Sequence, residues 1–173
     1  SVLTDRDFFG GSFKDLERAR EVAGEVPLLR KDFMVDPYQL YEARAYGADM
    51  VLLIAAVLEK EEVAQMAGLA TELGLTVLLE VHVEEELEKI VPGIGMVGVN
   101  NRDLTNFRVD TGVSERLAPM LPEGVVKVSE SGLSSAAVIR TLQAAGYRGF
   151  LMGEAFMREE DPGLAIRTLR EQL

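Results

Sequence analysis

Apolar and polar positions alternate in blocks along this chain. Short runs rich in Val, Leu, Ile and Met recur, separated by longer stretches in which apolar residues return every three or four positions. The short runs predict strands at 1–4, 27–32, 50–56, 76–81, 96–101, 125–130 and 149–153. The longer stretches predict helices at 12–23, 37–46, 60–73, 83–90, 113–121, 134–145 and 163–172. The stripe Val63, Met66, Leu69, Ala70 and Leu73 shows the helical spacing. Asp36-Pro37 and Asp161-Pro162 read as an N-cap followed by proline in the first turn. Gly24, Gly47, Gly74 and Gly146 each stand where a helix should end and a strand begin.

Strands separated by single helices imply right-handed βαβ units and a parallel sheet. A doubly wound nucleotide-binding sheet should carry G-x-G-x-x-G after its first strand, and this chain does not. The closed (β/α)8 (TIM) barrel distributes its chemistry over the loops after many strands. That distribution is present here, so an α/β barrel is expected, as one domain spanning 1–173 with no linker or low-complexity stretch. Seven strands and seven helices fall one unit short of the barrel's eight. The abrupt start at Ser1 fits an N-terminally truncated barrel, with the missing unit upstream.

Composition narrows the function. At 47% apolar the chain is globular, and its net charge of −11 argues against binding nucleic acid or anionic membranes. It has no cysteine, so thiol nucleophiles, thiolate metal sites and disulfides are excluded, as expected of a cytoplasmic protein. The longest apolar run, Met50 to Leu58, is too short to span a bilayer, and no signal peptide is visible.

The strand exits carry polar residues that the fold does not need. A buried strand should stay apolar throughout, because an unpaired buried charge is costly, so charges confined to exits mark an active-site rim. Strand parity sorts them. Leu29, Lys31 and Phe33 share one face of LLRKDF, while Arg30 and Asp32 take the other. Leu78 and Glu80 share a face, as do Met96, Gly98, Asn100 and Arg102. If each set points inward, Lys31, Glu80, Asn100 and Arg102 converge on one mouth, where a lysine and a glutamate can act as an acid–base pair. A structural salt bridge closing the mouth is the competing reading.

Ser131-Gly132 and Gly153-Glu154 follow the last two strands, the position where barrels often bind phosphate through backbone amides. An ordinary strand-to-helix turn is the alternative. His82, two residues past Glu80, reads as a structural hydrogen-bonded histidine. Phe8 and Phe9 form either a hydrophobic plug or an aromatic substrate wall. Glu84, Glu85, Glu86 and Glu88 read as a solvated helix face, and no residue pattern calls for a metal.

Together these residues resemble the indole-3-glycerol-phosphate synthase family, a barrel family of tryptophan biosynthesis. SVLTDRDFFGGS, LRKDFMVDPYQLYEARAYGADMVLLI, LLEVH, VGVNNRDL, VSESGL and FLMGEAFMREEDPG occur in family order and cover nearly the whole chain. LRKDF-x-VDPYQ and GVNNRDL are the most specific; other phosphate-binding barrels, such as phosphoribosylanthranilate isomerase, lack them. The resemblance implies a carboxy-lyase that closes an indole ring. Its substrate would be 1-(2-carboxyphenylamino)-1-deoxyribulose 5-phosphate, and its products indole-3-glycerol phosphate, carbon dioxide and water, with no cofactor or metal. By matching position, Lys31 resembles the lysine that protonates or polarises the substrate carbonyl. Glu80 resembles the carboxylate of the later proton transfers, and Asn100 the residue that orients the substrate hydroxyl. Arg102 and Ser131 would line the pocket, Phe9, Phe33 and Leu52 would wall the anthranilate ring, and Gly132, Gly153 and Glu154 would hold the phosphate.

The family's N-terminal helix, and its first strand bearing a second lysine and a glutamate with a following serine, have no counterpart in this sequence. Two expectations follow. The chain either works as a synthase or is an impaired fragment that folds, assembles or binds phosphate ligands without turnover. Its opened sheet edges would invite self-association or a complementing fragment.

Overall fold

The computed structural model describes all 173 residues. It divides into two units, the first Ser1–Val81 with Glu85–Met96, the second Val97–Leu173 with His82–Glu84. No helix is long and apolar enough to cross a membrane.

The first unit alternates β1 (Val2–Leu3), α1 (Phe13–Ala23), β2 (Leu29–Lys31), α2 (Tyr38–Ala45), β3 (Met50–Ile54), α3 (Lys60–Glu72) and β4 (Thr76–Val81). The strands are parallel and pair in chain order. Val2 stands opposite Arg30 and Leu29 opposite Met50, and the five pairs from Met50–Thr76 to Ile54–Glu80 join β3 to β4. β3 and β4 are buried on both faces, as their nearly unbroken apolar runs require of a parallel sheet. Leu16, Leu40, Val63 and Met66 supply the helix side of the core.

The helix ends follow the capping chemistry read from the sequence. Asp36 Oδ1 accepts from the Tyr38 amide at 2.8 Å, and Ser12, not among the caps read from the sequence, accepts from the Asp15 amide through Oγ. Helix α2 begins at Tyr38 with Pro37 already in helical conformation, one residue later than a strict N-cap reading of Asp36. Gly24, Gly47, Gly74 and Gly146 all take positive φ.

The second unit carries β5 (Met96–Asn100, from Val97 on), α4 (Gly112–Leu117), β6 (Val126–Glu130), α5 (Ala136–Ala144), β7 (Gly149–Leu151), α6 (Glu154–Met157) and α7 (Pro162–Glu171). Its strands also run in chain order, with Val128, Ser129 and Glu130 opposite Gly149, Phe150 and Leu151. Asp161 caps α7 by accepting from the Leu164 amide at 2.9 Å, with Pro162 in the first turn. Parallel strands in unbroken chain order, each followed by a helix, form the (β/α)8-barrel arrangement; a doubly wound sheet reverses its order at a switch point. Seven strands are present where the closed barrel has eight.

Three expectations are corrected. Residues Glu84–Lys89 form a 3₁₀ turn in place of the α-helix expected over 83–90. Glu84 and Glu88 would be like charges one helical turn apart, and no side chain of this segment is buried to offset that repulsion. The short helix α6 was not among the expected elements; four residues are too few to show a period. Charges are not confined to strand exits, because Arg30 sits in the middle of β2 at 2% exposure.

Candidate active site

In the first unit, Lys31 ends β2 and Glu80 lies one residue before the end of β4. Lys31 Nζ stands 3.5 Å from Glu80 Oε2; the Glu80 side chain is 2% exposed and that of Lys31 28%. A carboxylate so buried needs a cation beside it, and Lys31 is that cation. The result is a buried carboxylate in contact with an ammonium that still reaches solvent, an arrangement that can pass protons. Leu52 is buried, pairing with Leu78 two residues before the Ile54–Glu80 pair.

The loop after β1 brings an aromatic residue back over this rim. The Asp5 carboxylate accepts from the Phe8 amide at 2.7 Å and the Phe9 amide at 3.3 Å. A Cβ at Gly11 would stand 2.2 Å from the Leu3 carbonyl oxygen, so only glycine lets the loop fold so tightly on β1. Phe9 then stacks on Phe33, with ring centroids 6.0 Å apart and planes 22° from parallel. Of the two phenylalanines, Phe9 makes the ring contact and Phe8 projects into solvent at 82% exposure.

Arg30, of opposite parity, is fully compensated. Its guanidinium meets Asp32 at 2.9 Å and Glu42 at 3.5 Å, donates to Thr4 Oγ1 and the Gln39 carbonyl, and lies 4.5 Å from the Phe13 ring centre. It braces β2 from the helix side.

In the second unit, Asn100 ends β5 at 8% exposure, and its Oδ1 accepts from the Arg102 amide at 2.9 Å. Arg102 Nη2 meets Glu154 Oε2 at 2.8 Å. Glu154 also binds Arg158, so its carboxylate is neutralised on both sides. Asp103 folds the following loop by accepting from the Thr105 amide and hydroxyl and the Asn106 side chain. The Thr105 hydroxyl, with the neighbouring amides, holds the Asp103 carboxyl below its ordinary pKa. Ser131 (φ +66°) and Gly132 (φ +72°) are both left-handed. A Cβ on Gly132 would fall 2.1 Å from Val109 Cγ1, so glycine is required here by the packing of the β5–α4 loop as well as by φ. Gly153 caps α6 and is open on its Cβ side.

Among the buried polar residues that escaped the sequence reading, two stand out. Glu130, the last residue of β6, is 1% exposed. It shares parity with Val128, and as a carboxylate at a strand exit it carried the same signal as Glu80. Asn101, also 1% exposed, lies on the face opposite Asn100, so a parity filter discards it. His82 is half-buried just past β4. A groove of this unit, about 920 Å³ between Ser135, Met152, Phe156, Leu164 and Leu169, contains none of the expected site residues.

Residues 1–169 match the sequence profile of the indole-3-glycerol phosphate synthase family. The indole-3-glycerol phosphate synthase of Bacteroides thetaiotaomicron is 53% identical over 168 residues, which cover 97% of this chain and 64% of that protein. Those of Chromobacterium violaceum and Carboxydothermus hydrogenoformans are 50% and 48% identical, each over 98% of this chain and 64% of their own length. The chain therefore spans just under two thirds of the curated relatives it matches.

Proposed function

Because this chain belongs to the indole-3-glycerol phosphate synthase family, we propose that it supplies the acid–base, aromatic and phosphate-binding residues of a decarboxylating ring closure. The substrate is 1-(2-carboxyphenylamino)-1-deoxyribulose 5-phosphate. What supports the reading is the 3.5 Å approach of Lys31 Nζ to the buried Glu80 carboxylate. The Lys31 ammonium donates a proton to the substrate's ketone oxygen as the ring carbon bearing the carboxylate attacks the carbonyl carbon. The carboxylate leaves as carbon dioxide, and its bonding electrons restore the aromatic ring. Loss of the new hydroxyl as water and of one carbon-bound proton then gives indole-3-glycerol phosphate. Glu80 takes part in these later transfers.

Phe9, Phe33 and Leu52 wall the anthranilate ring. Asn100 orients the substrate hydroxyl, Arg102 and Ser131 line the pocket, and amides at Gly132, Gly153 and Glu154 hold the phosphate. Every step is a proton transfer, a carbon–carbon bond change or the loss of water, so the proposed reaction runs without cofactor or metal.

The test is to mix the chain with this substrate and follow indole fluorescence. Lys31→Ala should reduce turnover roughly 10²- to 10⁴-fold while the circular dichroism spectrum is kept. Equal turnover in Lys31→Ala and the native chain would overturn the acid–base assignment and leave the Lys31–Glu80 contact as a structural salt bridge.

A further inference from the structure

In the second unit, the side chain of Asn101 is a hub buried between β5, β6 and α4. Its amide orientation is fixed by chemistry. The Ser114 backbone N–H can only donate, so the atom facing it at 3.1 Å is Oδ1, which also accepts from the Ser114 hydroxyl at 2.8 Å. Nδ2 therefore faces three acceptors: Ser129 Oγ at 3.0 Å, the Glu130 carbonyl at 3.0 Å and the Ser131 carbonyl at 3.1 Å. The Asn101 backbone amide adds a second bond to the Glu130 carbonyl at 2.8 Å. Ser114 and Ser129 join oxygen to oxygen at 2.7 Å, closing the network.

These bonds end on the turn that carries Ser131 and Gly132. In a trans peptide the C=O and N–H point in opposite directions, and the chain has no cis bonds. Drawing the Glu130 and Ser131 carbonyls inward onto Asn101 turns the Ser131 and Gly132 amides the other way. Ser131 is also a non-glycine residue at φ +66°, a conformation that persists only where the surroundings impose it. Asn101 bonds the carbonyl on each side of the Ser131 α-carbon.

We propose that Asn101 is a positioning residue for the phosphate group of the ligand: it aims the Ser131 and Gly132 amides without touching the ligand itself. This rests on the assignment of Gly132 to the phosphate site made above. Asn101→Leu keeps the shape and charge while removing every side-chain hydrogen bond. Ser114→Ala trims one arm and leaves Nδ2 on the two carbonyls.

The experiment titrates the ¹⁵N-labelled chain with inorganic phosphate. It follows the Gly132 and Gly153 amide shifts, and the Ser131 HN–Hα coupling as a measure of φ. In the native chain both glycine amides should shift along one saturating curve. Asn101→Leu should change the Ser131 coupling and weaken phosphate at Gly132 by about tenfold or more, the scale of a charge-assisted hydrogen bond. Ser114→Ala should bind as the native chain does. If Asn101→Leu does not fold, Asn101→Ser is held to the same criterion. Native affinity in a folded Asn101 variant overturns the inference and leaves the phosphate site standing. Silence of both glycine amides in the native chain overturns the phosphate site, and the inference with it.

Discussion

Tyr147 shows what burial does to a single ionisable group in this molecule. It is 2% exposed, and its hydroxyl donates to the Ser114 carbonyl at 2.7 Å. Burial pushes its pKa up to about 12 from an ordinary 10. The neutral form is thus favoured by folding, so its contribution is complete below pH 10 and is lost as pH rises from 10 through 12. Above pH 10 the unfolded chain binds fewer protons than the native one, so stability falls by about 1.4 kcal/mol per pH unit across that window. Urea unfolding at pH 9 and pH 11 should show this decline in the native chain but not in Tyr147→Phe. Parallel declines in both proteins would place the titration elsewhere. At this scale the sequence was half legible. Lys31 and Glu80 could be read because they share parity with apolar neighbours at strand exits. Arg30 and Asn101 could not, because their value lies in partners such as Asp32, Glu42 and Ser114, which sequence spacing does not bring together.

Elements were more legible than their partnerships. Block length and apolar period located every strand, and aspartate–proline and glycine chemistry located several helix ends. The period failed at Glu84–Lys89, where charge repulsion overrides it, and at α6, which is shorter than one readable repeat. It was silent on how the β5–α4 loop packs against the β6 exit. That packing depends on Gly132, whose missing Cβ makes room for Val109. Gly132→Ala should destabilise the fold by about 1–3 kcal/mol, combining a left-handed alanine with overpacking. Adding Val109→Ala should recover the packing part and leave the backbone part of roughly 1 kcal/mol. Chemical denaturation of the two single variants and the double variant measures both. Strict additivity would mean that the two residues do not press on one another.

Across the whole molecule, acidic residues outnumber basic ones by 29 to 18. Several basic groups are already committed to internal pairs, among them Arg20 with Asp49 and Arg30 with Asp32 and Glu42. The remaining surface is strongly anionic and repels itself. Raising sodium chloride from about 0.02 M to about 0.5 M shortens the Debye length several-fold. It should lift the melting temperature by roughly 2–4 °C, equivalent to about 1 kcal/mol at this size. A fall would mean that screening the internal pairs outweighs relief of the repulsion. The parallel, chain-ordered sheet has a further consequence for how the protein is made. Pairings such as Val2–Arg30, Met50–Thr76 and Val128–Gly149 each reach across only one intervening helix. A newly synthesised strand therefore finds its neighbour as soon as one more helix has left the ribosome. These pairings can form in the order of translation, each once the next helix and strand have emerged.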